Sequence, residues 1–128
     1  MNQTPPITIL LRLENLALAL LCVWLFKNFH QSWWLFAALI LVPDLSMLGY
    51  LAGPRIGAAI YNAVHNWLIV IVGFFIAWYL FRDNFSLSLP VILGAHIGFD
   101  RALGLGLKLP SGFKDTHLGR MGRRSDAV

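Results

Sequence analysis

Charge is what this chain has least of. Only 12% of its 128 residues are Asp, Glu, Lys or Arg, while 58% are apolar; soluble domains carry roughly 25% charged residues. A water-soluble fold of this length buries only about two-thirds of its surface, and the chain has too few polar side chains to cover the rest. The shortage argues against an ordinary soluble enzyme and makes lipid the natural solvent for the outer surface. Cysteine is almost absent as well. The lone Cys22 permits no internal disulfide and reads as a small packing residue among apolar neighbours. No glycine-rich stretch has the spacing of a phosphate loop, so no nucleotide motif is assigned. The first apolar stretch follows no basic leader and precedes no small-residue cleavage site, so it is expected to be a retained span.

What the chain does have is long apolar runs. Crossing the hydrocarbon takes about 20 mostly apolar residues, and residues 7–26, 33–51, 56–81 and 87–107 each approach that length. The expected fold is all-α: a polytopic membrane bundle of about four transmembrane helices over residues 1–107, followed by a basic cytoplasmic tail over residues 108–128. Ser32 is placed to cap the second helix. Gly53-Pro54 is a helix stop and restart, and Pro90 is expected in the first turn of the fourth span. Pro43 lies well inside the second span, where it should kink the helix and free a backbone carbonyl near Asp44. Trp24, Trp33, Trp34, Trp78 and Tyr79 sit where an interfacial aromatic belt would.

Lys108, Lys114, Arg120, Arg123 and Arg124 in the tail, with Arg55, Arg12 and Arg101, load positive charge on the side shared by both termini. The other side has Lys27 and an Arg82-Asp83 pair. The positive-inside rule then places both termini in the cytoplasm. Dispersed bases beside a membrane suit anionic headgroups, so membrane lipid is the expected partner and nucleic acid is not.

Ionisable and amide groups inside the spans are the most informative feature: Arg12, Glu14, Asn15, Asp44, Asn62, His65, Asn66, His96, Asp100 and Arg101. Such groups are costly in lipid and face the bundle interior, a partner or water. A rise of 1.5 Å per residue puts Glu14, Asp44 and Asp100 about 10 Å from the cytoplasmic side, His65 about 14 Å and His96 about 16 Å. Residues from four segments therefore fall in one layer. His96 and Asp100 stand at i,i+4 on one helix face, an arrangement that holds a metal between the two side chains or lets the carboxylate orient the imidazole. Asn62, His65 and Asn66 share another face, with Tyr61 beside them. The expected metal set is Glu14, Asp44, His65, His96 and Asp100. Its mixed carboxylate–imidazole character suits a divalent transition metal such as zinc, iron or manganese. The competing reading is a network of buried charge pairs, in which Arg12 neutralises Glu14 or Asp44 and Arg101 a neighbouring acid.

In the tail, Asp115 and His117 fall in an irregular or extended stretch that can fold over the cytoplasmic mouth. With Glu14 they are the candidate catalytic groups, ligands or proton carriers beside the layer, against the plainer reading of a solvated loop. Gly53-x-x-x-Gly57 and Gly94-x-x-x-Gly98 allow close helix approach, either within the chain or at the seam of a homodimer.

The runs LLRLEN, PDLSMLGYLAGPRIGAAIYNAVHNW, HIGFDRALGLGLKLP and SGFKDTHLG resemble the short bacterial membrane proteins grouped as domain of unknown function 4260. The resemblance covers roughly residues 10–119 and implies a bacterial inner-membrane protein, without implying an activity. It maps the family's characteristic polar positions onto Arg12, Glu14, Asp44, His65, His96, Asp100, Asp115 and His117, with Asn15 standing where that motif is expected to hold glycine. The leading functional expectation is a membrane-embedded metal-dependent enzyme, a hydrolase acting on a lipid or another apolar substrate. The alternatives are an ion- or proton-coupled transporter or channel and an accessory protein whose polar groups only lock the helices together.

Overall fold

A computed structural model describes residues 6–105, with 108–109, 112–116 and 119–120 beyond them. Helix α1 (Pro6–Asn28) opens on a proline, whose missing N–H costs nothing in a first turn, and runs for 23 residues. At 1.5 Å per residue that is about 35 Å, enough to cross the hydrocarbon. Helix α2 (Trp33–Leu39) begins where Ser32 Oγ accepts the Trp34 N–H at 3.2 Å, the cap expected of that serine. The α-helix then tightens into a 3-10 helix over Val42–Ala52, with Pro43 in its first turn. The irregularity at Pro43 is thus a change of helix type.

Gly53, at φ +118°, ends the 3-10 segment in a conformation that side chains other than glycine's rarely adopt. Pro54 then opens α3 (Pro54–Val64). Helix α4 (Trp67–Ile76) follows after a bend of 46°, so the expected third span is broken in its middle. The cause lies in Asn66, whose extended backbone and side chain, accepting the Ile69 N–H at 3.0 Å, start a new helix. A π-helical turn, Ala77–Phe81, leads to Arg82 in the left-handed region.

Helix α5 (Asn84–Ala102) starts at an Asp83 cap. The Asp83 carboxylate accepts the Ser86 N–H at 2.7 Å and the Ser86 hydroxyl at 2.8 Å, and these bonds hold its carboxyl below the usual carboxylate range. Arg82, expected to pair with Asp83, donates to the Tyr79 carbonyl at 3.3 Å. Because this cap starts α5 early, Pro90 lies inside the helix rather than in its first turn.

Among the described residues, Pro6–Asn28 and Trp33–Ala52 are long and apolar enough to cross a membrane, and the bent pair α3–α4 adds a third if taken as one span. Four spans is more than the structure shows. Helix α5 is instead the centre of the bundle: Leu87, Val91, Ile92, Ala95, His96 and Ile97 are all buried. Phe26 and Cys22 of α1 pack with Val91, Ile92 and Ala95 to form the apolar core. The outer surface is the reverse of a soluble protein's. Leu51 is 89% exposed and Trp34 85%, and Trp24, Trp33, Trp78 and Tyr79 are also exposed near the ends of their helices. So extensive an apolar exterior favours association in water and is the correct surface in lipid.

The tail adds three short antiparallel strands to an otherwise helical chain, β1 (Lys108–Leu109), β2 (Gly112–Thr116) and β3 (Gly119–Arg120), in that order. β1 and β2 run beside α3.

A candidate metal centre

Four side chains from three separate stretches meet at one point. Asp44 comes from the 3-10 helix, His65 from the break between α3 and α4, and His96 and Asp100 from successive turns of α5. One ligand atom from each falls within 4.8 Å of all the others. His96 Nε2 lies 3.1 Å from an Asp44 oxygen and 3.1 Å from an Asp100 oxygen. His65 Nε2 lies 3.3 Å from Asp44 and 4.0 Å from Asp100, and the two Nε2 atoms are 3.1 Å apart. The imidazoles are 4% exposed, Asp100 19% and Asp44 34%, so the centre is closed on the histidine side and approachable past Asp44.

The backbone determines which atoms face inward. His65 Nδ1 lies 2.8 Å from the Tyr61 carbonyl, and His96 Nδ1 is on the Ile40 carbonyl. A carbonyl only accepts, so both Nδ1 atoms carry their protons and donate. In the neutral imidazoles both Nε2 atoms then present lone pairs. Two lone pairs 3.1 Å apart repel, and two carboxylates add more electron density to the same point. A cation at the centre, a metal ion or added protons, turns that repulsion into attraction. Metal-ligating histidines commonly donate their other N–H to a carbonyl in this way.

Each of these orienting bonds has a local origin. In a 3-10 turn the Ile40 carbonyl would take its bond from residue 43, but Pro43 has no N–H. The Asp44 N–H turns to Leu41 at 3.1 Å, which leaves Ile40 O for His96. The carbonyl expected to be freed near Asp44 is therefore a working part of the site. Tyr61 precedes His65 by one helical turn; its carbonyl accepts the hydrogen bond from Nδ1–H, and its ring stacks on the imidazole at 3.7 Å and 8°. The break after His65 exposes that residue's own carbonyl, and Arg101 Nη2 donates to it at 3.0 Å.

Of the five residues expected to hold a metal, Asp44, His65, His96 and Asp100 are brought together. Glu14 is not: it lies on an exposed face of α1, outside the group of four, because that helix turns Ala19 and Cys22 rather than Glu14 toward α5. Asp115 belongs to β2, where only its backbone is described, and His117 lies outside the described residues. Neither arginine neutralises an acid among the described residues. Arg12 Nε donates to the Ala102 carbonyl at 2.7 Å, and Arg101 is held by His65 O. Both answer the unpaired carbonyls of helix ends, which the charge-pair reading of the sequence overlooked. Asn66 and Asn62 stay outside the cluster as well, with Asn66 Nδ2 donating to Asn62 O at 2.8 Å.

Asn15 has a different role. Its Oδ1 accepts the Trp67 indole N–H at 2.8 Å, tying α1 to the start of α4 just beyond His65.

The model of the family described as Domain of unknown function (DUF4260) matches residues 8–121. The chain belongs to this family. No curated protein and no solved structure matches this DUF4260 member. The match spans the whole cluster from Asp44 to Asp100 and the stretch that holds Asp115 and His117.

Proposed function

We propose that this chain is a membrane-embedded, metal-dependent enzyme, a hydrolase acting on a lipid or another apolar substrate, with Asp44, His65, His96 and Asp100 as the metal ligands. The observation that carries the proposal is the paired commitment of both Nδ1 atoms to backbone carbonyls, which turns two Nε2 lone pairs onto one point between two carboxylates. Zinc, iron and manganese all accept this mixed donor set. A bound divalent ion would lower the pKa of a coordinated water and polarise the bond under attack.

The chain's own residues supply the rest. Tyr61 and Ile40 hold the imidazoles in one tautomer. The histidine side excludes water, while the partly exposed Asp44 leaves an approach for substrate. Asp115 is the proposed proton carrier, from the strand beside α3. The protein is further proposed to lie in the bacterial inner membrane, with α5 as a fourth, internal span, both termini cytoplasmic and the site in the cytoplasmic half.

Elemental analysis of detergent-purified protein tests the metal. Near-stoichiometric zinc, iron or manganese is expected in the wild type, with loss in His96→Ala and Asp100→Ala. Well-folded wild type without metal would overturn the reading. It would favour shared protons as the neutralising charge, and with them the proton-coupled transporter. Mass spectrometry of lipids incubated with the loaded protein then tests the hydrolase, which requires a cleaved product that the metal-free variants do not form.

A further inference from the structure

The break between α3 and α4 leaves backbone groups that no helix satisfies, and in lipid the protein itself must answer them. Side chains do so. The Tyr61 carbonyl accepts from His65 Nδ1, and Asn66 Nδ2 donates to the Asn62 and Ala63 carbonyls at 2.8 and 3.1 Å. The His65 carbonyl accepts from Arg101 Nη2 at 3.0 Å. His65 itself, at φ −115° and ψ 40°, is where helical geometry ends, so the ligand sits on backbone that needs outside support.

Three of the supporting bonds close a ring through α1, the break and α5. Arg101 of α5 holds the His65 carbonyl. Two residues on, the Trp67 indole N–H is held by Asn15 Oδ1 of α1 at 2.8 Å. One turn earlier on α1, Arg12 Nε returns to α5 at 2.7 Å through the carbonyl of Ala102, the residue after Arg101. Arg101 also follows the ligand Asp100 directly. Helix α5 thus carries two of the four inward-facing groups, His96 and Asp100, and the side chain that holds the backbone of a third.

We infer that Arg101 is a positioning residue of the metal centre: its bond to the His65 carbonyl, closed into a ring by Asn15 and Arg12, fixes His65 Nε2 against His96 and Asp100. This rests on the metal reading and deepens it by assigning the brace of one ligand. Position and charge act in opposite directions here, which makes the role measurable. Arg101 lines the same small cavity as Asp100 and His65, so its positive charge opposes a cation at the centre. An arginine acting by charge alone would weaken metal binding, and its removal would tighten it. A brace does the reverse.

The test is cobalt(II) titration of the full chain in detergent against a competing chelator, with visible absorption reporting the geometry of the ligands. Arg101→Met, which loses both charge and donors, should bind cobalt about tenfold more weakly, as loss of a ligand's outer partner does, and its absorption bands should shift. Arg101→Lys keeps a cationic donor and should recover part of both. Asn15→Leu alters no charge, should weaken binding in the same direction, and carries the test if Arg101→Met does not fold. A folded Arg101→Met that binds cobalt as tightly as the wild type or more tightly, or with the wild-type spectrum, would overturn the brace and leave the arginine as a helix cap alone. Wild type that binds no cobalt would overturn the metal reading itself, a result seen before any variant is compared.

Discussion

Helix α5 presents two faces built on the same spacing and used in opposite ways. Gly94 and Gly98, four residues apart, remove side chains so that α1 and α4 can approach. A methyl group at Gly98 would stand 2.7 Å from both the Ala19 Cβ and the Asn15 carbonyl oxygen, and one at Gly94 would stand 2.7 Å from Cys22 Sγ. His96 and Asp100, also four apart, supply side chains to the 3-10 helix and the α3–α4 break. One face is close-packed and has no tolerance for volume; the other gathers charge that needs an ion. Small-residue contact draws helices together in lipid, and it holds α5 in register so that the polar face meets its partners.

Substitutions on the two faces should therefore fail differently. The largest effect is expected from Gly98→Val. Its new atoms meet backbone, which cannot rotate away, and overpacking of this kind costs about 1–3 kcal/mol or more. The protein should fail to accumulate as a monodisperse species in detergent chromatography, and normal behaviour of that variant would break the comparison. His96→Ala should keep the fold, elute normally and lose its metal, which thermal melts with and without chelator would show as one common midpoint. Asp44→Asn should be milder, because Asp44 is the most exposed ligand. Its metal affinity is expected to drop by less than that of His96→Ala, measured by competition with a chelator.

Smaller again is Asn66→Ala, which removes the cap of α4 at about 1 kcal/mol. It should lower the melting temperature while leaving metal content near that of the wild type. The smallest effect belongs to Asp83. Its carboxyl is held below the ordinary range, so its contribution is present at neutral pH and disappears as pH falls through its folded-state pKa. Asp83→Asn should lower the melting temperature slightly at neutral pH, change little in acid, and so flatten the acid limb of the melting profile.

Much of this architecture is legible in the sequence, for reasons particular residues make clear. Apolar runs mark the helices because lipid demands them, and Ser32, Gly53 and Pro54 mark ends because their chemistry leaves little choice. The convergence of Asp44, His65, His96 and Asp100 follows from depth along helices of known rise. Depth alone, however, does not give rotation about the helix axis. Glu14 shares the layer in that estimate and points outward because α1 packs through Ala19 and Cys22. The break at His65–Asn66 was hidden by the apolar continuity on either side. Its signal was Asn66 three residues before Ile69, a capping pattern inside an apparent span. The arginines are not legible in the same way, because acids are the evident partners of a guanidinium in sequence while the carbonyls of broken and ended helices leave no mark there. The tail is the least legible part: β1 to β3 are too short to show a period.

The chain order of the four inward-facing groups has a consequence for biogenesis. Asp44 and His65 are made and inserted first, while His96 and Asp100 arrive only with the last helix. A growing chain therefore carries half of the cluster while residues 65–96 are made and completes it only with α5. Under the proposed metal reading, an ion captured firmly would certify that α5 has entered the bundle in the right orientation, and loading would then be a late checkpoint on assembly rather than a seed for it.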